Sequence, residues 1–154
     1  MLRILSLSVV LILFSCSSND DSTPAGNEAT LLGNGWLMTS YALNGQSEME
    51  ALDNGSFSFI LQNGSNQTSG FIECNAFGGT YALDGDLLSF IDVAEDAADC
   101  TEDSDQYREQ NALIRAALIE QADTLVTEGG LTISMSNGDV MFFELFPDVF
   151  NSMP

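Results

Sequence analysis

Residues 73–100 read ECNAFGGTYALDGDLLSFIDVAEDAADC, and this stretch decides the fold. Two apolar runs flank Asp84-Gly85, a dipeptide that tolerates positive φ and suits a two-residue type I′ hairpin turn. With Asp84-Gly85 as the loop, Ala82 faces Leu87, Tyr81 faces Leu88 and Gly79 faces Phe90. Tyr81, Leu88 and Phe90 then share one face with Gly79, where the Phe90 ring can cover bare glycine backbone. An antiparallel hairpin is the expected centre of the domain.

The same rhythm runs outward on both sides. Short apolar runs at 36–43, 56–61, 70–75, 80–83, 87–91, 124–127, 131–135 and 140–146 are expected strands. Asn44-Gly45, Asn54-Gly55 and Asn63-Gly64 supply turns between them. Asn137-Gly138, read as a two-residue loop, pairs Met135 with Val140 and Ile133 with Phe142. One segment differs. Residues 103–122 hold no Gly or Pro and are rich in good helix formers. Tyr107, Ile114, Ala117, Leu118 and Ala122 recur there at helical spacings and form one apolar stripe. Asp103 with Gln106 resembles a capping box. The expected class is α+β: a mostly antiparallel, strongly curved sheet or partial barrel with one packed helix over about 103–122.

Charge narrows the chemistry. The 154 residues carry 23 acids against three basic side chains and no His, for a formal net charge of −20. Arg3, Arg108 and Arg115 are the only cations, so there is no Lys. Nucleic-acid binding needs a cationic surface, which cannot be built here. Ser-His-Asp and Cys-His nucleophiles, His-ligated zinc, Schiff-base chemistry and a P-loop lysine are all excluded.

The N-terminus is an address. Arg3 precedes an apolar run over residues 4–14, interrupted only by Ser6 and Ser8. Eleven residues of helix rise only about 16 Å, too short to span roughly 30 Å of hydrocarbon. The run therefore reads as the core of a signal peptide over residues 1–15. Leu13-Phe14-Ser15-Cys16 resembles a bacterial lipoprotein lipobox, with Phe14 bulkier than usual. The resemblance implies cleavage before Cys16, acylation of its thiol and new amino group with palmitate-type chains, and membrane attachment. Residues 16–30 form a polar, turn-rich tether. Asp20 and Asp21 resemble the surface-export signal of Bacteroidota lipoproteins. The expected location is the outer membrane, on its periplasmic face or at the cell surface. A single domain over residues 31–147 follows, with a tail over 148–154.

Cys74 and Cys100 remain in the domain after Cys16 is assigned to the anchor. In an exported chain an even pair reads as a disulfide. It would close a loop of 27 residues, for which chain entropy gives roughly 3–4 kcal/mol. Two free thiols or a soft-metal site are the alternatives.

Cys74-Asn75, Gly79 and Tyr81 form a C-N-x-x-x-G-x-Y pattern. Gly35-Trp36-Leu37 and Ser40-Tyr41 lie upstream, and the helix and Gly130-Leu131-Thr132-Ile133 downstream. The arrangement resembles the META/HslJ-like family over about residues 31–146. That family includes a heat-shock protein linked to novobiocin resistance and many bacterial lipoproteins. The resemblance implies the curved sheet with one helix, a role in envelope stress tolerance, no established catalytic residue and no cofactor. Two positions depart: Glu73 stands where Gly is common, and Asp96 where Thr is common. Bottom-up, each motif residue has a structural task. Trp36 anchors a core with its indole N–H paired, Asn75 satisfies loop backbone, Gly79 permits close approach or positive φ, and Tyr81 packs.

Ten acids lie between Asp84 and Glu109, against one Arg. Asp92, Glu95, Asp96, Asp99, Glu102, Asp103 and Asp105 are the candidate surface. Three readings stay open. The segment is a solvated acidic loop, or it docks a basic protein such as lysozyme, or it binds calcium. It lacks EF-hand spacing and the turn glycine, so no metal ligand is assigned.

Overall fold

The computed structural model describes residues 31–52, 57–96, 104–127 and 130–146. The leader, the tether, Asn54-Gly55, Asp99, Cys100, Glu102, Asp103 and the tail over 148–154 lie outside the described residues. The elements run β1 (Gly35–Ala42), β2 (Met49–Glu50), β3 (Phe57–Leu61), β4 (Gln67–Ile72), β5 (Asn75–Asp84), β6 (Leu87–Glu95), α1 (Asp105–Ala117), β7 (Ala122–Thr127), β8 (Gly130–Ser134) and β9 (Val140–Leu145).

Each strand from β3 to β6 pairs antiparallel with the next, as do β7, β8 and β9. β1 pairs β3 on one edge and β9 on the other, so the expected strongly curved antiparallel sheet closes into an eight-stranded barrel. The short β2 adds to β1 at Ser40↔Glu50 and Tyr41↔Met49. Closure removes the exposed edges that an open sheet of this composition would present.

Alternation sets the interior. Phe57, Phe59 and Leu61 of β3, Phe77 and Tyr81 of β5, Leu88 and Phe90 of β6, and Met141 and Phe143 of β9 are buried. A bulge between Met38 and Ser40 resets β1, so that Trp36, Met38 and Tyr41 are all buried. Five phenylalanines form one cluster. Phe59 meets Phe90 at 5.5 Å and Phe143 at 5.4 Å between ring centroids, both edge-to-face. Gly70 makes room for it. Gly70 pairs with Phe59 on one side and Phe77 on the other. A Cβ there would stand 1.9 Å from the Ser58 carbonyl oxygen and 2.8 Å from the Phe77 ring.

Three sequence expectations are corrected by the turns. The β5–β6 loop is Gly85-Asp86, with Asp84 opposite Leu87 and Tyr81 opposite Phe90. Gly85 has φ +63 at the first loop position, where a type II′ turn needs it. The partners move by two residues, so Tyr81, Leu88 and Phe90 keep their common face. Gly79 faces a bulge instead of the Phe90 ring. Asp92 adopts φ +51, and a Cβ on Gly79 would lie 2.9 Å from the Ile91 carbonyl oxygen. The β8–β9 loop has three residues, Ser136 to Gly138, closed by Met135 N–H to the Asp139 carbonyl at 2.9 Å. Ile133 therefore faces Met141, and Thr132 faces Phe142. A one-residue change flips faces, so Phe142 turns away from the core. The expected strand over 70–75 is in fact the end of β4, a turn at Glu73-Cys74, and the start of β5.

The helix is shorter than expected. Ser104, not Asp103, is the N-cap, and its hydroxyl accepts the Tyr107 N–H at 3.1 Å. Tyr107, Ile114, Ala117 and Leu118 are buried as the stripe requires, and Leu113 and Gln110, which it did not include, are buried with them. Ala122 belongs to β7. The seam between β6 and β7 is short, with only Leu87↔Asp123 and Leu88↔Ala122 paired. Past Leu88 the helix lies along β6.

Gly70→Ala is expected to cost at least about 3 kcal/mol by urea denaturation, because rigid backbone fills the space. Gly64, with open space around it and φ +82, should lose only about 1 kcal/mol on the same substitution. Equal losses at the two positions would refute the packing account.

Candidate functional site

Of the motif residues, Asn75, Gly79 and Tyr81 lie on β5 and Trp36 on β1, and they do structural work. Trp36 is fully buried, and its indole N–H donates to the Leu31 carbonyl at 3.1 Å. Tyr81 donates its hydroxyl hydrogen to the Gln62 carbonyl at 2.9 Å and its N–H to the Asn66 carbonyl at 2.9 Å. These bonds tie β5 to the loop between β3 and β4. Asn75 is buried where β5 begins, and Cys74 is exposed in the turn before it. Cys16 and Cys100 lie outside the described residues.

Glu73 occupies the first position of the two-residue turn between Ile72 and Asn75, with φ +58. Gly is common at this place in the pattern that the sequence resembles, and the backbone explains the preference. A non-Gly residue there is strained. The Glu73 carboxylate accepts the Tyr107 hydroxyl of α1, which clamps the turn to the helix. The second Glu73 oxygen is buried with no protein partner. Two further bonds fasten α1. Gln106 donates to the Glu50 carbonyl, and Gln110 accepts the Leu52 N–H, each at 2.9 Å. Beneath them Tyr41 is fully buried, and its hydroxyl completes no hydrogen bond. Burial raises the Tyr41 phenol above its ordinary value; nearby Gln106 opposes the shift and the Glu109 carboxylate adds to it.

The acid surface is only partly described. Asp92, Glu95 and Asp96 project from the end of β6, and Asp105 from the start of α1; all four are exposed. Asp105 pairs with Arg108 within the helix, and Glu95 accepts from Arg115 at 2.5 Å. Among the described residues no group of three or more Cys, Asp or Glu side chains could hold a metal ion.

One concave feature was not foreseen from the sequence. A cleft of about 810 Å³ separates β6 from α1. Phe90 forms its buried end, Val93, Ala112 and Ala116 line it, and Ile91 and Ile119 are its exposed lips. Ala112, Arg115, Ala116 and Ile119 recur at helical spacing and form a second flank beside the buried stripe. That spacing was the available signal, but small alanines and one isoleucine do not announce an exposed apolar wall. Asp92, Glu95 and Arg115 also border the cleft. Chemically, the arrangement can hold an apolar group beside carboxylates. It presents no nucleophile–base pair among the described residues.

The META domain family model matches residues 29–145. An NMR structure of a protein from Burkholderia xenovorans superposes with a TM-score of 0.62 at 18% identity, covering 95% of this chain and 99% of that one. A second NMR structure gives a TM-score of 0.56 at 21% identity, covering 76% of this chain and 92% of that one. At these identities the likeness is one of fold. No curated protein matches.

Relief of strain at the turn should be measurable. Glu73→Gly and Glu73→Ala both lose the Tyr107 bond, but only Gly recovers the backbone cost. Glu73→Gly should therefore be about 1 kcal/mol more stable than Glu73→Ala in urea unfolding, after allowing for the greater unfolded-state freedom of glycine. Identical midpoints for the two variants would remove the strain argument.

Proposed function

Because the chain belongs to the META domain family, we propose that it is a non-catalytic, lipid-anchored protein of the bacterial outer membrane that serves envelope stress tolerance. The observation that carries the anchor is Leu13-Phe14-Ser15-Cys16 at the end of a short apolar run with one preceding cation. Two or three acyl chains on Cys16 give stable attachment where one chain would not. No helix among the described residues is long and apolar enough to cross a membrane. A non-catalytic role is supported by the packed interior and by the absence of His and Lys from the chain. In cells, radiolabelled palmitate should be incorporated on Cys16, and globomycin should block processing. A Cys16→Ala variant that stays with the membrane and is processed normally would overturn the anchor.

The reading includes a Cys74–Cys100 disulfide. Asp96 donates its N–H to the Ala76 carbonyl at 2.9 Å, and Tyr107 donates to Glu73. Both ends of the segment that contains Cys100 are thus tied beside the turn that carries Cys74, which supports the pairing. The unreduced mature protein should weigh two hydrogens less than the reduced one, and reduction should cost roughly 3 kcal/mol of stability. Recovery of two alkylatable thiols without reduction would refute the bridge.

A second reading is an acidic module that binds or inhibits a cationic protein such as lysozyme. It rests on the exposed carboxylates of Asp92, Glu95, Asp96 and Asp105 in a chain of net charge −20. Lysozyme should be retained by the full chain at low ionic strength and released as salt screens the charges. Absence of salt-sensitive retention would exclude this reading.

A further inference from the structure

We propose that the cleft between β6 and α1 takes one apolar side chain presented by a basic, amphipathic segment of another protein. The inference rests on the second reading above and assigns it a site. Four observations converge. The cleft, at about 810 Å³, falls within the size range of small-ligand sites, and its walls are mainly apolar. Its lips are unusual for this molecule. Ile119 is 84% exposed and Ile91 41% exposed, and they are two of the four large apolar side chains left open to solvent among the described residues. Leaving two such groups on opposite sides of one depression is costly unless something covers them.

Charge then selects the occupant. Asp92 and Glu95 stand at the border, and Asp96 follows directly after the strand. The one cation at the border, Arg115, is already engaged by Glu95 at 2.5 Å. An anionic amphiphile such as a fatty acid would bring its carboxylate to a border that is already net negative. A neutral hydrophobe would fill the walls but gain nothing from the carboxylates. A peptide with a large apolar side chain between lysines or arginines satisfies both parts. The apolar group displaces water from the walls, and the flanking cations meet the carboxylates. The carboxylates also draw a cationic partner in over longer range, since the whole chain is strongly negative.

The helix is tied to the rest of the chain. Its N-terminal half is held by Glu73, Glu50 and Leu52 through Tyr107, Gln106 and Gln110. The far wall is β6, paired to β5 on both sides of the bulge at Asp92 and Val93.

The test uses the full chain in zwitterionic nanodiscs, with protein-free nanodiscs as the blank. The probe is a short fluorescent peptide carrying one tryptophan between lysines. Control peptides replace the tryptophan by serine or the lysines by glutamine. The parent peptide should bind at least about 10-fold more tightly than either control. Ala116→Trp puts a large ring into the cleft and Ile119→Ser removes one lip. Each should weaken the parent peptide about 10-fold and leave the weak serine control unchanged. Ile119 is so exposed that its variant should melt as the wild type does, which keeps the test valid if Ala116→Trp folds poorly. Asp92→Asn should weaken binding about 3-fold at low salt, with the difference vanishing at high salt. Parent binding that is indifferent to Ile119→Ser and Ala116→Trp overturns the cleft. If the same variants still retain lysozyme in a salt-sensitive way, the acidic reading stands without this site. If wild type retains no basic protein or peptide, both fall together.

Discussion

Phe77 lies on Gly70 because nothing else can lie there. A side chain at residue 70 would begin 1.9 Å from the Ser58 carbonyl oxygen, so the β3–β4–β5 surface has a bare patch at its centre. The aromatic cluster grows from that patch. Phe57 and Phe59 approach it from β3, and Phe90 and Phe143 close over them from strands that are distant in sequence. Rings of this size need a tightly curved sheet to meet one another, and a sheet that curves this far brings β1 to β9. Closure is thus a consequence of how the interior is filled.

A filled barrel moves function to the outside. Lipocalin-like use of the interior is ruled out when five phenylalanines, Trp36 and Tyr41 occupy it. The polar groups of the motif are spent on joints between loops. Trp36 holds the entry segment through Leu31, and Tyr81 holds the loop between β3 and β4. What remains is the outer surface, the exposed turn at Cys74, and the side where α1 meets the barrel.

Much of this was legible in the residues, and the failures have physical causes. Strand positions followed from alternation, the helix from its stripe, and the turns at Gly45 and Gly64 from positive φ that glycine supplies cheaply. Registers failed wherever one glycine could serve two turns. Gly85 can be the second residue of a type I′ loop or the first of a type II′ loop, and local sequence does not separate them. Gly138 can end a two-residue loop or a three-residue one, and only that choice decides whether Phe142 or Phe143 is inside. The Glu73-Cys74 turn was missed because its positive-φ position holds a glutamate, which no propensity argument would select. Its justification is tertiary: Tyr107, thirty-four residues away, accepts the arrangement by donating to the carboxylate. On the acid surface, the sequence reading ended the strand at residue 91 and left Asp92 and Glu95 in a loop, whereas β6 carries both; the apolar floor beside α1 was missed because Ala112 and Ala116 read as helix formers rather than as a wall.

The cleft has its origin in chain connectivity. The pairs β3–β4, β4–β5, β5–β6 and β8–β9 are joined by short turns or loops, and their ladders run several pairs. Between β6 and β7 the chain instead makes α1, and the ladder there stops after Leu88↔Ala122. A cylinder of helix cannot lie flush against the rest of a strand that bulges at Asp92. The buried stripe of α1 seals the core, and the adjacent flank is left standing off β6. The same bulge that Gly79 admits by lacking a side chain therefore shapes the outer groove. This links the glycine of the motif to the surface: its role in the interior ladder and the geometry of the exposed cleft are two sides of one backbone irregularity.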